Sequence, residues 1–133
     1  MAKEILGLDA EWDGKMHFSQ GVKVGTMVFV SGQGALDAKG DVVGPGDIEA
    51  QTRRALQNVE AVLRRAGATL RDVVKVTTFL TQRSSGTVSR YDRVFGEFFP
   101  TRCPASTLVE VKSLVLRDMM VEIEAVAIVG AGA

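Results

Sequence analysis

Two carboxylates at alternate positions of an otherwise apolar run, Glu122 and Glu124 in "VEIEAVAIV", are the side chains of this sequence best suited to chemistry. A carboxylate is costly to bury without a partner. On such a strand it either pairs with Lys or Arg, lies at an edge, or holds its proton tightly enough to serve as a general base. The sequence leaves these readings open. A second candidate is "VSGQG", residues 30–34, where a strand ends in small residues. It reads as a turn, or as a place where the backbone N–H groups of Ser31 and Gly32 meet a carboxylate or oxyanion. A third is "CPASTLVEV", residues 103–111, which opens a strand with Ser106 and Thr107 where a charged side chain could have stood. The one histidine, His17, has no Cys or His companion, so neither a transition-metal site nor a Ser-His-Asp triad is expected. HExxH, CxxC, P-loop and GxGxxG patterns are all absent from the sequence, and no metal or organic cofactor is expected.

The elements that must position these residues follow from periodicity and punctuation. "FSQGVKVG" and "TMVFVSGQ" read as an antiparallel hairpin turning near Gly25. "ALDAKGDVVG" carries a turn at Lys39-Gly40 and a short third strand. A helix starts at Asp47 as N-cap and buries Ile48, Ala55, Leu56, Val59, Val62, Leu63 and Ala66, one face at i, i+3, i+4 spacing. Arg53, Arg54, Glu60 and Arg64 fall mostly outside that face, and Gly67 ends the helix. "DVVKVTTFLT" is a β-branched strand. A second helix, capped by Ser84, Ser85 or Thr87, turns Val88, Tyr91, Val94, Phe95, Phe98 and Phe99 inward and stops at Pro100. "STLVEVKSL" and "MMVEIEAVAIV" are two strands joined around Arg117-Asp118. Residues 1–15 read as a variable, irregular segment, and 130–133 as a frayed tail.

The predicted order β-β-(β)-α-β-α-β-β specifies an α+β fold, one mixed β-sheet with two helices on one face. Its other face needs a cover. Along 119–129, Val121, Ile123, Ala125 and Ala127 lie on one side, with Val126 and Ile128 beside Glu122 and Glu124 on the other, so both sides are partly apolar. Association of copies is the expected cover.

The bulk numbers narrow the function. A length of 133 residues suits a single domain over 1–133. The 16 basic and 16 acidic side chains cancel, so no net field draws the chain to nucleic acid or an anionic membrane. The single cysteine, Cys103, excludes an internal disulfide and fits a reducing compartment. The N-terminal stretch lacks the apolar run of a signal peptide, and no stretch reaches the roughly 18–20 apolar residues of a membrane span. The cytoplasm is the expected location.

Several of these segments, in order and spacing, resemble the RidA/YjgF family, the reactive-imine deaminases formerly described as endoribonuclease L-PSP. The likeness runs over about residues 16–129 and is carried by "FSQGVKVGTMVFVSGQ", "DVVKVTTFLT", "VFGEFFP" and "CPASTLVEV…VEIEAVA". The resemblance implies a chorismate-mutase-like fold and a homotrimer with small-molecule clefts between subunits. It also implies hydrolysis of imines to 2-oxo acids and ammonia without a cofactor. An arginine would hold the substrate carboxylate and a glutamate would activate water. That glutamate matches Glu122, and the family's Ser-Gly matches Ser31 and Gly32. Phe18 stands for a tyrosine, Asp92 for a cleft asparagine, and Leu108 for a cysteine whose carbonyl Leu108 keeps. The family pattern Pro-Ala-Arg is here Pro104-Ala105-Ser106, so Ser106 stands where the arginine belongs, followed by Thr107. A serine hydroxyl does not replace a bidentate guanidinium, and Arg102 or Lys112 would have to supply charge instead. Three readings follow. One is an atypical, arginine-less hydrolase or deaminase using Glu122. The second is a trimeric ligand-binding or scaffold protein without turnover. The third is an endoribonuclease, which the zero net charge and single histidine disfavour; nucleic acid is not an expected partner.

Overall fold

The computed structural model describes residues 1–82 and 86–133. Among these, six strands and two helices follow in the order β1 (Glu4–Leu6), β2 (Gly21–Val24), β3 (Met27–Gln33), α1 (Ile48–Arg65), β4 (Val73–Leu80), α2 (Thr87–Phe98), β5 (Ala105–Glu110) and β6 (Val121–Ile128). The strands form one sheet in the order β1-β2-β3-β6-β4-β5. All neighbours are antiparallel except β4 and β5, which run parallel. The fold is therefore α+β with a mixed sheet, as expected.

Helix α1 forms where its caps and apolar stripe say it must. Asp47 accepts a hydrogen bond from the Ala50 N–H at 3.0 Å. At the other end the Gly67 and Ala68 N–H groups donate to the Arg64 and Leu63 carbonyls, a Schellman closure. Gly67 sits at φ +74°, a conformation glycine adopts without steric cost. Ala55, Leu56, Val59, Val62 and Leu63 are fully buried against the sheet. They meet Val28, Val76, Val121 and Ile123, the inward-facing residues of β3, β4 and β6. Helix α2 lays Tyr91 and Phe95 on the same core and also buries Val94, and the Tyr91 and Thr78 hydroxyls share a buried hydrogen bond of 2.6 Å. Burial above all keeps Tyr91 a neutral phenol, its pKa pushed up to about 12 against the lowering effect of the Thr78 hydrogen bond and with a smaller upward push from the Asp92 charge.

Five sequence expectations change. The extra strand is β1, within the segment read as irregular; 35–44 contributes only the bridge Leu36–Val42 around a turn whose Asp37 carboxylate accepts from the Lys39 and Asp41 N–H groups. β5 and β6 are not neighbours, because β6 inserts between β3 and β4 and the linking segment crosses β4. Val88 is exposed, lying just off the inward stripe of α2. Gly86 is the N-cap of α2, without a capping side-chain bond. Thr87 is the first helical residue, its hydroxyl donating to the Gln82 carbonyl, and Ser84 and Ser85 lie outside the described residues. The tail is docked rather than frayed, since the Gly132 N–H donates to the Asp72 carboxylate at 2.9 Å.

Candidate functional site

Glu122 lies on β6 with its side chain on the sheet face opposite the helices, following the alternation that buries Val121 and Ile123. Across the strands it neighbours Phe79 of β4 and the end of β3. There the β3–β6 register slips between Val30 and Gln33, so Ser31 and Gly32 form a bulge. Gly32 fits because it has no side chain: a Cβ there would fall 2.7 Å from the Glu122 carboxyl carbon. The carboxylate thus rests on the Gly32 backbone. Among the described residues no hydrogen bond or ion pair reaches it. Half-burial first, and the neighbouring charge of Glu124 second, push its proton affinity above that of an ordinary glutamate. A half-buried, unpaired carboxylate with raised pKa is equipped to take a proton from a water molecule.

The bulge is built on a buried polar chain that the sequence did not announce. Gln33, almost fully buried, donates through Nε2 to Gln20 Oε1 at 2.9 Å and to the Ser31 carbonyl at 3.1 Å. Gln20 in turn donates to Asp13 Oδ1 at 3.0 Å, and the Leu8 N–H donates to Asp13 Oδ2 at 2.7 Å. Its only sequence signal was two glutamines, Gln20 and Gln33, in the hairpin where apolar residues would serve the core. Ser31 is locked the same way. Its N–H donates to the Gln20 carbonyl and its hydroxyl to the Ser19 carbonyl. The Ser31 amide is therefore committed within the chain, which speaks against the one of the two sequence readings that turned it toward a ligand.

The remaining candidates lie elsewhere on the same chain. Ser106 pairs in register with Val76, and Leu108 with Thr78. Both of those β4 residues point toward the helices, so Ser106 and Leu108 occupy the helix side of β5, the exposed outer edge. Asp92 is exposed on α2. Thr107 takes the opposite side of β5, where its hydroxyl accepts from Lys75 Nζ at 2.6 Å. From β6 to β5 is two strand spacings, roughly 10 Å, and Ser106 is on the other face. One chain therefore groups Gly32 with Glu122 but does not bring Ser106, Leu108 or Asp92 to them. Phe18 is exposed near Trp12, their ring centroids 6.4 Å apart. Neither Arg102 nor Lys112 reaches Ser106 through a hydrogen bond among the described residues. Arg102 lines a crevice under the end of α2, and Lys112 a basin beside Met119 and Met120. His17 and Cys103 are exposed. Among the described residues no group of His, Cys, Asp and Glu is placed to hold a metal ion, and no helix is long and apolar enough to cross a membrane.

A six-stranded mixed sheet with both helices on one face, and a glutamate set on a glycine bulge on the other, defines a class of small chorismate-mutase-like α+β proteins. The chain belongs to the family described as Endoribonuclease L-PSP, whose model matches residues 10–129. It is 38% identical to a RutC family protein of Pyrococcus abyssi, covering 96% of this chain and 98% of that one. It is 40% identical to the 2-iminobutanoate/2-iminopropanoate deaminase of Salmonella typhimurium, covering 84% and 86%. In three dimensions it superposes on the crystal structure of a member of the YjgF/YER057c/UK114 family from Mycobacterium tuberculosis. That match has a TM-score of 0.82 and 32% identity, and covers 96% of this chain and all of the other.

Proposed function

We propose that this protein is a small-molecule-binding member of the RidA/YjgF family, a single domain over residues 1–133 that works in the cytoplasm as a homotrimer, with its ligand in a cleft that two chains complete. The observation that carries this reading is the divided site. Glu122 and Gly32 lie at the β3 bulge, while Ser106, Leu108 and Asp92 lie at the far edge and on the other side of the sheet. A second copy placed against the open face supplies the missing half. In that cleft Glu122 accepts a proton from water as the water oxygen bonds to an electrophilic carbon. The double-bond pair of that carbon moves to its nitrogen, Glu122 returns the proton there, and the C–N bond breaks as the hydroxyl gives up its own proton to the Glu122 carboxylate and becomes the carbonyl, releasing the amine. The Ser106 hydroxyl holds a neutral part of the ligand. The Salmonella relative is named for 2-imino acids, which carry a carboxylate. Here the position that the family resemblance gives to a guanidinium holds Ser106, and losing a charge-assisted contact in a shielded cleft costs about 2–5 kcal/mol. A neutral or cationic imine, or a ligand bound without turnover, suits this cleft better.

The test is the return of the cation. Wild type is expected to show little or no hydrolysis of freshly generated 2-iminobutanoate in competition with semicarbazide. Ser106→Arg is expected to bind 2-oxobutanoate at least about tenfold more tightly by calorimetry, a gain of about 1.4 kcal/mol. Any imine hydrolysis it acquires should vanish in Ser106→Arg/Glu122→Gln, because glutamine does not accept the proton. Fast hydrolysis by the wild type, or unchanged 2-oxobutanoate affinity in a folded Ser106→Arg trimer, overturns the reading.

A further inference from the structure

One cavity of the described residues has no place in the scheme above. It is a crevice of about 580 Å³ between the end of α2, the start of β4 and the docked C-terminal tail. Its volume is in the range that holds a small organic molecule. The walls mix polar and apolar surface, the apolar part coming from side chains such as Leu70, Val74, Phe98, Phe99, Pro100 and Pro104. Its only charged lining residues are two arginines, Arg71 and Arg102. Both are exposed, and among the described residues neither forms a hydrogen bond or ion pair. No carboxylate lines the crevice to answer them.

Two further features are independent of charge. Arg102 holds φ +49°, a left-handed conformation that costs a long side chain steric energy and marks strain often kept at ligand sites. The tail wall is also built rather than incidental. Ala131 and Gly132 line the crevice, and Gly132 is held by its N–H bond to Asp72 and packs so tightly on Arg71 that a Cβ there would fall 2.6 Å from the Arg71 Cβ.

We propose that this crevice is a binding site for a small organic anion, a single carboxylate on an apolar or aromatic body. The apolar side chains among the walls take the body and the two arginines take the carboxylate. A phosphate ester fits less well. The helix end that lines the crevice is the C-terminal one, whose carbonyls repel a doubly charged group more than a singly charged one. The site does not depend on the Glu122 reading. It lies under α2, on the helix side of the sheet, and shares no lining residue with the Gly32–Glu122 bulge.

The probe is 4-phenylbutanoate, with its neutral amide as control, titrated into the full-length protein and followed by amide NMR shifts and calorimetry. Shifts are expected at Leu70–Val74, Phe98–Phe99, Thr101–Cys103 and Ala131–Gly132. The carboxylate should bind about tenfold or more tightly than the amide, and added salt should weaken it. Arg71→Gln/Arg102→Gln should abolish the difference between acid and amide, whereas Glu122→Gln should leave binding unchanged. Arg102→Gly should weaken binding without lowering Tm, because glycine accepts the local backbone. Val74→Asp, an exposed change that places an anion on the wall, should weaken binding too. Equal affinity for acid and amide, binding indifferent to both arginines, no binding at all, or shifts confined to residues 31–34 and 121–124 overturns the proposal. The last of these outcomes would leave the Glu122 reading standing and remove only this one.

Discussion

At the scale of single residues, the contact between Gly32 and Glu122 decides what the site can do. In Gly32→Ala the new methyl group meets the far end of a flexible side chain, not backbone. The carboxylate therefore moves and the fold survives. The variant is expected to lose less than about 1 kcal/mol of stability. Its Glu122 should titrate closer to the ordinary value of 4.5, as read from side-chain carboxyl NMR shifts. The raised proton affinity also has a stability consequence. The folded chain binds this proton more tightly than the unfolded chain, so stability falls as pH rises above 4.5 and the charge must form in place. Glu122→Gln removes that penalty. It is expected to be more stable than wild type at neutral pH and no different well below pH 4.5, by denaturant midpoint. A carboxylate held against stability in this way is the trade-off expected if Glu122 has the role proposed for it.

At the scale of elements, the hydrogen bond that links α2 to β4 has a measurable worth. Tyr91→Phe leaves the buried Thr78 hydroxyl without its partner, at a cost of about 1–3 kcal/mol. Tyr91→Phe/Thr78→Val removes both groups and should recover part of that loss, a non-additivity visible in a double-mutant cycle by urea denaturation. The end of α1 offers a cleaner backbone test. Gly67 has open space around its Cβ position, so Gly67→Ala meets no neighbour and is destabilising only through φ, by about 1–2 kcal/mol. The bulge at Ser31-Gly32 depends on an element too. Its carbonyl is held by Gln33 and its amide by the chain entering β2, so the glutamine chain from Asp13 to Gln33 sets where the bulge lies relative to Glu122.

At the scale of the whole molecule, the sheet carries a face and an edge that call for cover. Met27, Phe29 and Ile128 are exposed on the face away from the helices, and all six residues of β5 are exposed at the edge. An uncovered face of this kind beside a long unpaired edge favours association. Sedimentation equilibrium at micromolar concentration is expected to return three times the 14.3 kDa chain mass, and a monomer mass would refute the composite cleft. Closure of the chain's ends is likewise a tertiary matter. Asp72, a buried side chain, accepts from the Thr69 N–H at 2.9 Å and from Gly132 of the tail. Burial works against its charge, but those N–H donors prevail and hold its pKa below 3.8. A depressed carboxylate contributes stability above its unfolded value that is lost as pH falls through the folded one. Asp72→Ala should therefore cost about 1–3 kcal/mol at pH 7, with the gap narrowing below pH 3.8, by denaturant melts across pH.

What the sequence determined by itself was local. Periodicity placed α1 and its buried stripe, Asp47 and Gly67 marked its ends, β-branched runs marked the long strands, and alternation put Glu122 and Glu124 on the side of β6 away from the core. Each depends on spacing within one element, which the chain states directly. The tertiary structure decided what depends on residues far apart. Strand pairing set β6 between β3 and β4, made a strand of Glu4–Leu6 and left 35–44 with one bridge, because which strand finds an edge depends on the finished sheet. It bound the Ser31 amide to Gln20, joined Gln33 to Asp13, and docked the tail on Asp72, since hydrogen-bond partners of buried polar groups are chosen in space. It also put Ser106 and Glu122 on opposite faces two strands apart. The alternation of side chains and the strand order fix that separation jointly, and neither segment reveals it alone.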